Sequence, residues 1–424
     1  MMKKAATLGL AIALLAGPMF ADEGAVPKGI PRLEHVWIIM MENHAYAQIV
    51  DNPDAPYTNK LAKSANTARN YFAIAHPSLT NYLEVVGGSN FGILNDHSPD
   101  WHNTNCTTNL ATGLPSLDTS AFPNVCPIWG EGKDAATPVF DLSNETTPPA
   151  ITSVTEIDGV HSIPANSDIS GKMIGDQLAG SGKSWKSYQE SLPPTGANRV
   201  NNSDGFYSDV TPVATFLPNE KQSLIALYAV KHNPFVYFRS VQEGTDDESS
   251  LKNTVGFEGK HGLFADLESG HVPNFSFIAP NQCNDQHGRP SAGPACDFDP
   301  SSTGTQAGLN PALIFIGDET IQTLVKAIHA SPAWKDGKNA IVVMWDENDY
   351  SATPNTNQVL LIVDTNYGEK GVQSTKMYTH FSLLKSLEGG FGLPCLNHAC
   401  DDNVKVMSDL FGGSRDGDRD DDGE

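Results

Sequence analysis

Acidic and amide side chains fall directly behind apolar runs at widely separated points of the chain. Glu42 and Asn43 follow HVWIIMM (35–41), Asn281 and Asp285 follow PNFSFIA (273–279), and Asp346 and Glu347 follow AIVVMW (340–345). If those runs are strands, each puts oxygen donors at its C-terminal end, the edge where open α/β sheets bind ligands. Carboxylates that converge there repel one another unless a cation holds them. Glu42, Asn43, Asp346 and Glu347 offer only oxygen, which suits a hard divalent ion. One acidic residue at one strand end is ordinarily a solvated loop charge. The recurrence at several strand ends is what argues for a site.

A hydroxyl stands in a second suggestive place. The stretch His76-Pro-Ser78-Leu-Thr80-Asn81-Tyr82, followed by Leu83, Val85 and Val86, reads as a loop entering a helix. Ser78 sits near the helix start, where unpaired N–H groups and the dipole favour an anion. Its plain reading is an N-cap. Its sharper reading is a nucleophile: contact with a cation favours the alkoxide, and the helix N-terminus helps hold a transferring phosphoryl group. His76 could orient that loop or be a structural contact. His232, His287 and His380 are pocket candidates, with a helix-terminus or core contact as the ordinary alternative. Lys186 and Arg239 could hold an anion but, as single cations, are more often solvated.

These residues need elements to position them. Strands are expected at 35–41, 234–241, 273–279, 340–345 and 358–363, where near-continuous apolar runs suit strands buried on both faces of a parallel sheet. Helices are expected at 78–87, 172–181, 218–231 and 314–330. In the last, Ile314, Gly317, Ile321, Leu324, Val325 and Ile328 recur at helical spacing. The alternation predicts an α/β fold of three layers around a central, mostly parallel sheet. A site drawing on both ends of the chain favours one domain, residues 22–411. Residues 96–170, 189–212 and 281–312, rich in Asn, Thr, Ser, Pro and Gly, read as loop insertions, and 412–424 as a solvated acidic tail. GSGKS at 180–184 is not a phosphate-binding loop, because Gln177 stands where that motif needs glycine. DRDDDG at 418–423 imitates the start of a calcium loop without its flanking helices or its final Glu.

Composition sets the surroundings. The chain has 424 residues and a formal net charge of −23, the wrong sign for neutralising nucleic-acid phosphates, so no nucleic-acid partner is expected. Two lysines precede the apolar run 5–16, which is shorter than the about 20 residues of a membrane span. Residues 1–21 therefore read as a signal peptide with no integral membrane anchor, which predicts a secreted or periplasmic protein. Cys106, Cys126, Cys283, Cys296, Cys395 and Cys400 lack C-x-x-C spacing, so disulfides are favoured over a metal cluster. The simplest of the possible pairings is 106–126, 283–296 and 395–400.

Several blocks resemble a known family. They are MENH (41–44), HPSLTNYLEVVGG (76–88), SWKSYQESLP (184–193), KHNPFVYF (231–238), PNQCNDQH (280–287), GDETIQTLVKAIHASPAWKDGKNAIVVMWDEND (317–349) and HFSLLKSLEGGFGL (380–393). Together they look like the bacterial and fungal phosphoesterases, which include secreted acid phosphatases and phospholipases C within the alkaline-phosphatase superfamily. The resemblance implies an alkaline-phosphatase-like sheet with one divalent metal (Ca, Mg, Mn or Zn) at Glu42, Asn43, Asp346 and Glu347. It implies Ser78 as nucleophile and Asn81 as a phosphate contact. His232, Asn281, Asp285 and His287 would line the phosphate pocket, with His287 or His232 as the acid. Where the family usually has Pro, this chain has Thr80, a competing hydroxyl. Its NDMHD block reads Asn284-Asp285-Gln286-His287-Gly288, so the last acid is missing and a second metal is in doubt. The expected activity is a phosphomonoesterase on small phosphate esters. The alternatives are a phospholipase C or phosphoinositide phosphatase on phospholipid, and a non-catalytic binding protein on the same fold.

Overall fold

The computed structural model describes residues 23–91, 93, 96, 169, 171–192, 227–244, 248–289, 292–300, 306–349 and 356–412. Its centre is a sheet of β1 (His35–Met41), β2 (Asn66–Phe72), β3 (Trp185–Gln189), β4 (Thr254–Gly256), β5 (Phe275–Ala279), β6 (Asn339–Trp345), β7 (Gln358–Thr365), β8 (Gln373–Ser374) and β9 (Tyr378–Thr379). The order is β4-β3-β5-β1-β6-β7-β2-β8, with β9 also on β2. All pairings are parallel except those of β7, which runs against β6 and β2. The runs predicted at 35–41, 273–279, 340–345 and 358–363 are β1, β5, β6 and β7. The middle strand β6 is buried along its whole length, as a strand covered on both faces must be.

The helices are α1 (Tyr46–Ile49), α2 (Pro56–Ser64), α3 (Ser78–Gly87), α4 (Ile174–Gly180), α5 (Arg239–Glu243), α6 (Leu263–Ser269), α7 (Pro311–Ala330) and α8 (His380–Phe391). Six of them fall into two packed groups: α3 with α4 and α8, and α7 with α2 and α6. The predicted stripe of α7, from Ile314 to Ile328, is buried. The helix starts earlier than the periodicity suggested because the Asn310 side chain accepts from Ala312 N and Pro311 suits the first turn. Gly317 on that stripe is required by a close approach: a Cβ there would lie 2.2 Å from the Gln286 side chain. Gln286 accepts from Trp345 Nε1 and donates to Ile314 O, linking the turn after β5 to β6 and α7.

Some expectations are corrected. Residues 234–241 are not a strand: Pro234–Tyr237 is a 3-10 turn and α5 follows. Its apolar residues Phe235, Val236, Tyr237, Phe238 and Val241 are buried, so the apolar content reports burial alone, and Pro234 cannot donate to a ladder. Strands β2 and β3 lie where no apolar run marked them. Gln189, placed in an insertion, is the last residue of β3. The helix expected at 218–231 lies outside the described residues up to 226, and Val230–His232 is a single 3-10 turn. Disulfides join Cys283 to Cys296 and Cys395 to Cys400. The pair 106–126, the segment 1–21 and residues 413–424 lie outside the described residues, as does most of 96–170.

Candidate active site

The ends of β1, β5 and β6 meet beside the start of α3. Asp346 N donates to Met41 O at 2.9 Å, which couples the exits of β6 and β1. Glu42 N donates to Asp285 O at 2.9 Å, which brings in the turn after β5. Asn43 adopts φ 47°, a conformation asparagine tolerates better than most residues, and its N–H points at Asp346 Oδ1, 3.1 Å away. The link after β2 then turns into α3, whose first residue is Ser78.

Ser78 is buried among carboxylates. Its Oγ lies 3.0 Å from Glu42 Oε2 and 3.2 Å from Glu347 Oε1, so one hydroxyl hydrogen serves two acceptors. Asn81, one turn along, accepts at Oδ1 from Ile74 N (3.1 Å) and Ala75 N (3.0 Å) and donates to Glu347 Oε2 at 2.9 Å. It therefore braces the loop and Glu347 together. His76 Nδ1 is 2.8 Å from the same Glu347 oxygen, and its Nε2 is 3.0 Å from Asn348 Oδ1. Thr80 faces away: its Oγ1 donates to Ile93 O at 3.1 Å.

Histidines close the other side. His232 lies between two carboxyls, with Nε2 3.1 Å from Glu42 Oε1 and Nδ1 3.1 Å from Asp285 Oδ2. Tyr82 of α3 stacks on its ring at 5.3 Å. His287 packs edge-on against His232 with ring centroids 5.6 Å apart. His380 sits behind, its Nε2 2.6 Å from Asp346 O and its Nδ1 2.8 Å from Tyr71 OH. Asn281 is turned elsewhere: its N–H donates to Glu190 and its side-chain amide to Ser191. Lys186 is engaged by Asp266, away from the cluster.

Sequence reasoning missed two members. Lys231 Nζ lies 3.4 Å from Ser78 Oγ, 3.2 Å from Asp96 Oδ2 and 3.1 Å from His287 Nε2, with the lysine side chain 3% exposed. Asp96 Oδ1 also accepts from Leu79 N at 3.1 Å, in the first turn of α3. The available signal was adjacency to His232 in the KHNP block.

The donors fit a bound cation. Burial pushes the Glu42, Asp285 and Asp346 carboxyls above the usual range, and the Glu42 charge raises the other two further. Among the described residues these carboxyls and Glu347 are met by the ammonium of Lys231. Burial would lower the Lys231 pKa, but Asp96 and the Glu42, Glu347 and Asp346 carboxylates outweigh it and keep the group charged. Among the described residues, buried Asp346 Oδ2 and Asn43 Oδ1 find no hydrogen-bond donor, a costly state that a metal ion relieves. A second set, Glu42, His232 and His287, has donor atoms within 4.8 Å of one another. Glu42 thus belongs to this mixed nitrogen-oxygen set as well as to the all-oxygen set expected from the sequence.

Sequence comparisons point to hydrolysis of phosphoric esters. The model of the phosphoesterase family matches residues 50–296, more than half of the chain. A phosphatidylinositol-3-phosphatase of Mycobacterium tuberculosis is 23% identical over 410 residues, spanning 95% of this chain and 93% of that protein. A phosphate-repressible acid phosphatase of Penicillium chrysogenum is 25% identical over 84% of this chain, and the match spans 59% of that protein's length. Among solved structures, a Vibrio parahaemolyticus protein in the alkaline phosphatase superfamily aligns over 92% of this chain and 75% of its own, with 11% identity and a TM-score of 0.43.

Proposed function

The chain belongs to the phosphoesterase family and is a hydrolase of phosphoric esters, and from that premise we propose an exported, metal-dependent phosphomonoesterase that works through a Ser78 phosphoenzyme. The observation that carries this reading is the hydroxyl of Ser78, buried at a helix start between Glu42 and Glu347 and beside Lys231. Glu42, Asn43, Asp346 and Glu347 would hold one divalent ion. Bound there, such an ion would draw charge from a phosphoryl oxygen and favour the serine alkoxide.

The residues themselves divide the remaining work. Glu347 accepts the Ser78 proton along the existing hydrogen bond. Ser78 Oγ bonds to phosphorus as the bond from phosphorus to the ester oxygen breaks in line, and the departing oxygen takes a proton from His232, because the ring proton of His287 is committed to Gly288 O. Water then cleaves the phosphoserine, releasing phosphate and restoring the serine hydroxyl. Asn81 and His76 hold Glu347 in place. Asp285 orients His232 from the side opposite Glu42.

Small phosphate esters are the proposed substrates. Phosphorylated inositol lipids are the second reading, favoured by the near full-length match to a phosphatidylinositol-3-phosphatase. Export rests on the apolar leader at 1–21 and on two disulfides; among the described residues no helix is long and apolar enough to cross a membrane. Ser78→Ala tests the reading with p-nitrophenyl phosphate as substrate. The variant should lose at least ~10³-fold in kcat/KM while its melting temperature and bound metal match the wild type. Retained turnover in that folded variant rejects the nucleophile.

A further inference from the structure

The mixed donor set does not stand open. His287 Nδ1 lies 2.9 Å from Gly288 O, which places the ring proton there and leaves a lone pair on Nε2. That lone pair is where a metal would bind, and Lys231 Nζ already faces it at 3.1 Å. The same ammonium is tied to Asp96, which is also bonded to the first turn of α3. Its third direction runs to Ser78 Oγ at 3.4 Å. An ammonium has three donors, and here they reach a carboxylate anchor, a histidine lone pair and the hydroxyl itself. Asp96 and Leu79 fix the ammonium to the same helix start that fixes the serine.

We propose that Lys231 is a second, covalently tethered cation of the centre, standing where Glu42, His232 and His287 would otherwise hold a further metal ion. This deepens the reading of Ser78 as nucleophile and rests on it for its catalytic part. The ammonium stabilises negative charge on the Ser78 oxygen as that oxygen approaches phosphorus, a task a fixed cation performs without reorganising. It also keeps the His287 nitrogen from drawing a metal into the place the phosphoryl group must enter. Unlike a metal ion, this charge cannot be removed by a chelator.

The test counts zinc ions per chain by calorimetry and elemental analysis. Lys231→Met, of similar length and uncharged, should take up one more ion than the wild type, and Lys231→Met with His287→Ala should lose it again. In the wild-type background, His287→Ala should leave the count unchanged, because Lys231 and not a metal occupies that nitrogen. Alongside this, Lys231→Met should lower kcat at least ~10²-fold. No gain of zinc in folded Lys231→Met overturns the proposal. So does the loss of an ion in His287→Ala, which decides the matter even if Lys231→Met does not fold. The zinc count is independent of turnover, so absence of phosphatase activity would reject the proposed function without touching it.

Discussion

Ser78 and Thr80 lie two positions apart on one helical turn, and residues so spaced face different sides. Ser78 meets Glu42, Glu347 and Lys231, whereas Thr80 donates to Ile93 O in the buried layer. Thr80→Ala should therefore cost about 1 kcal/mol of stability, the usual worth of one buried hydrogen bond. It should leave kcat on p-nitrophenyl phosphate within about threefold, because nothing in the transition state is touched. Melting curves and steady-state kinetics check both parts. A collapse of activity matching that of Ser78→Ala would return Thr80 to contention as nucleophile. At this scale the sequence was legible where position carries meaning: Glu42, Asp346 and Glu347 stand immediately behind apolar runs, and Ser78 opens a helix. Asp96 was illegible for the same reason, and Lys231 was marked only by standing beside His232. Neither follows a strand-like run, and one sits in an Asn- and Ser-rich stretch. Only tertiary burial brings them to Ser78. Asn281, at a position of the right kind, spends its polar atoms on Glu190 and Ser191 instead.

Elements were readable in proportion to how completely their own sequence determines them. The runs of β1, β6 and β7 can hardly be anything but central strands, and the stripe of α7 fixes its inner face. Nothing local reveals that β7 runs antiparallel, nor that NTARNYF forms β2. Its ladder bonds come from β7, β8 and β9, all distant in sequence. The run 234–241 shows the converse, since apolar residues can be buried without a strand. One contact between helices decides a further property. Asp318 on α7 is fully buried, and its carboxylate accepts from Thr58 N at 2.7 Å and Tyr57 N at 2.9 Å, the free donors at the start of α2. No side chain of α2's own cap residue, Ala55, does this. Asp318→Ala should thus cost about 1–3 kcal/mol, leaving buried N–H groups without an acceptor. Asp318→Asn should recover part of that loss, because its amide oxygen can accept from one donor. Denaturant midpoints measure the difference. Equal midpoints for Asp318→Ala and the wild type would show that α2 needs no cap from α7.

For the whole molecule, acidic charge and burial together set how stability answers to pH, and two carboxyls away from the active site pull in opposite directions. Burial raises the Asp364 pKa, but hydrogen bonds from His329 (2.8 Å) and Lys370 (3.0 Å) outweigh it and hold the group below its usual value. A depressed folded pKa contributes stability above the unfolded value of about 3.9 and loses it as pH falls through the folded value. Glu388 is the reverse. It lies fully buried on α8, where Oε1 accepts from Leu396 N at 2.8 Å and Oε2 finds no donor among the described residues. Burial raises its pKa well above 4.5, and the Leu396 N–H and Lys385 only partly offset this. A carboxyl with a raised folded pKa stabilises fully below its unfolded pKa of about 4.3, and that contribution is lost as pH climbs through the folded value. At neutral pH the chain therefore carries a cost at Glu388. Glu388→Gln keeps an oxygen for Leu396 N and removes the titration, so its melting temperature should exceed that of the wild type at pH 7 and the gap should close towards pH 4. Asp364→Asn should melt below the wild type at pH 7, with its own gap closing only at lower pH. Scanning calorimetry from pH 3 to 8 separates the two curves. A Glu388→Gln gap that widens on acidification would contradict the buried-charge account of α8.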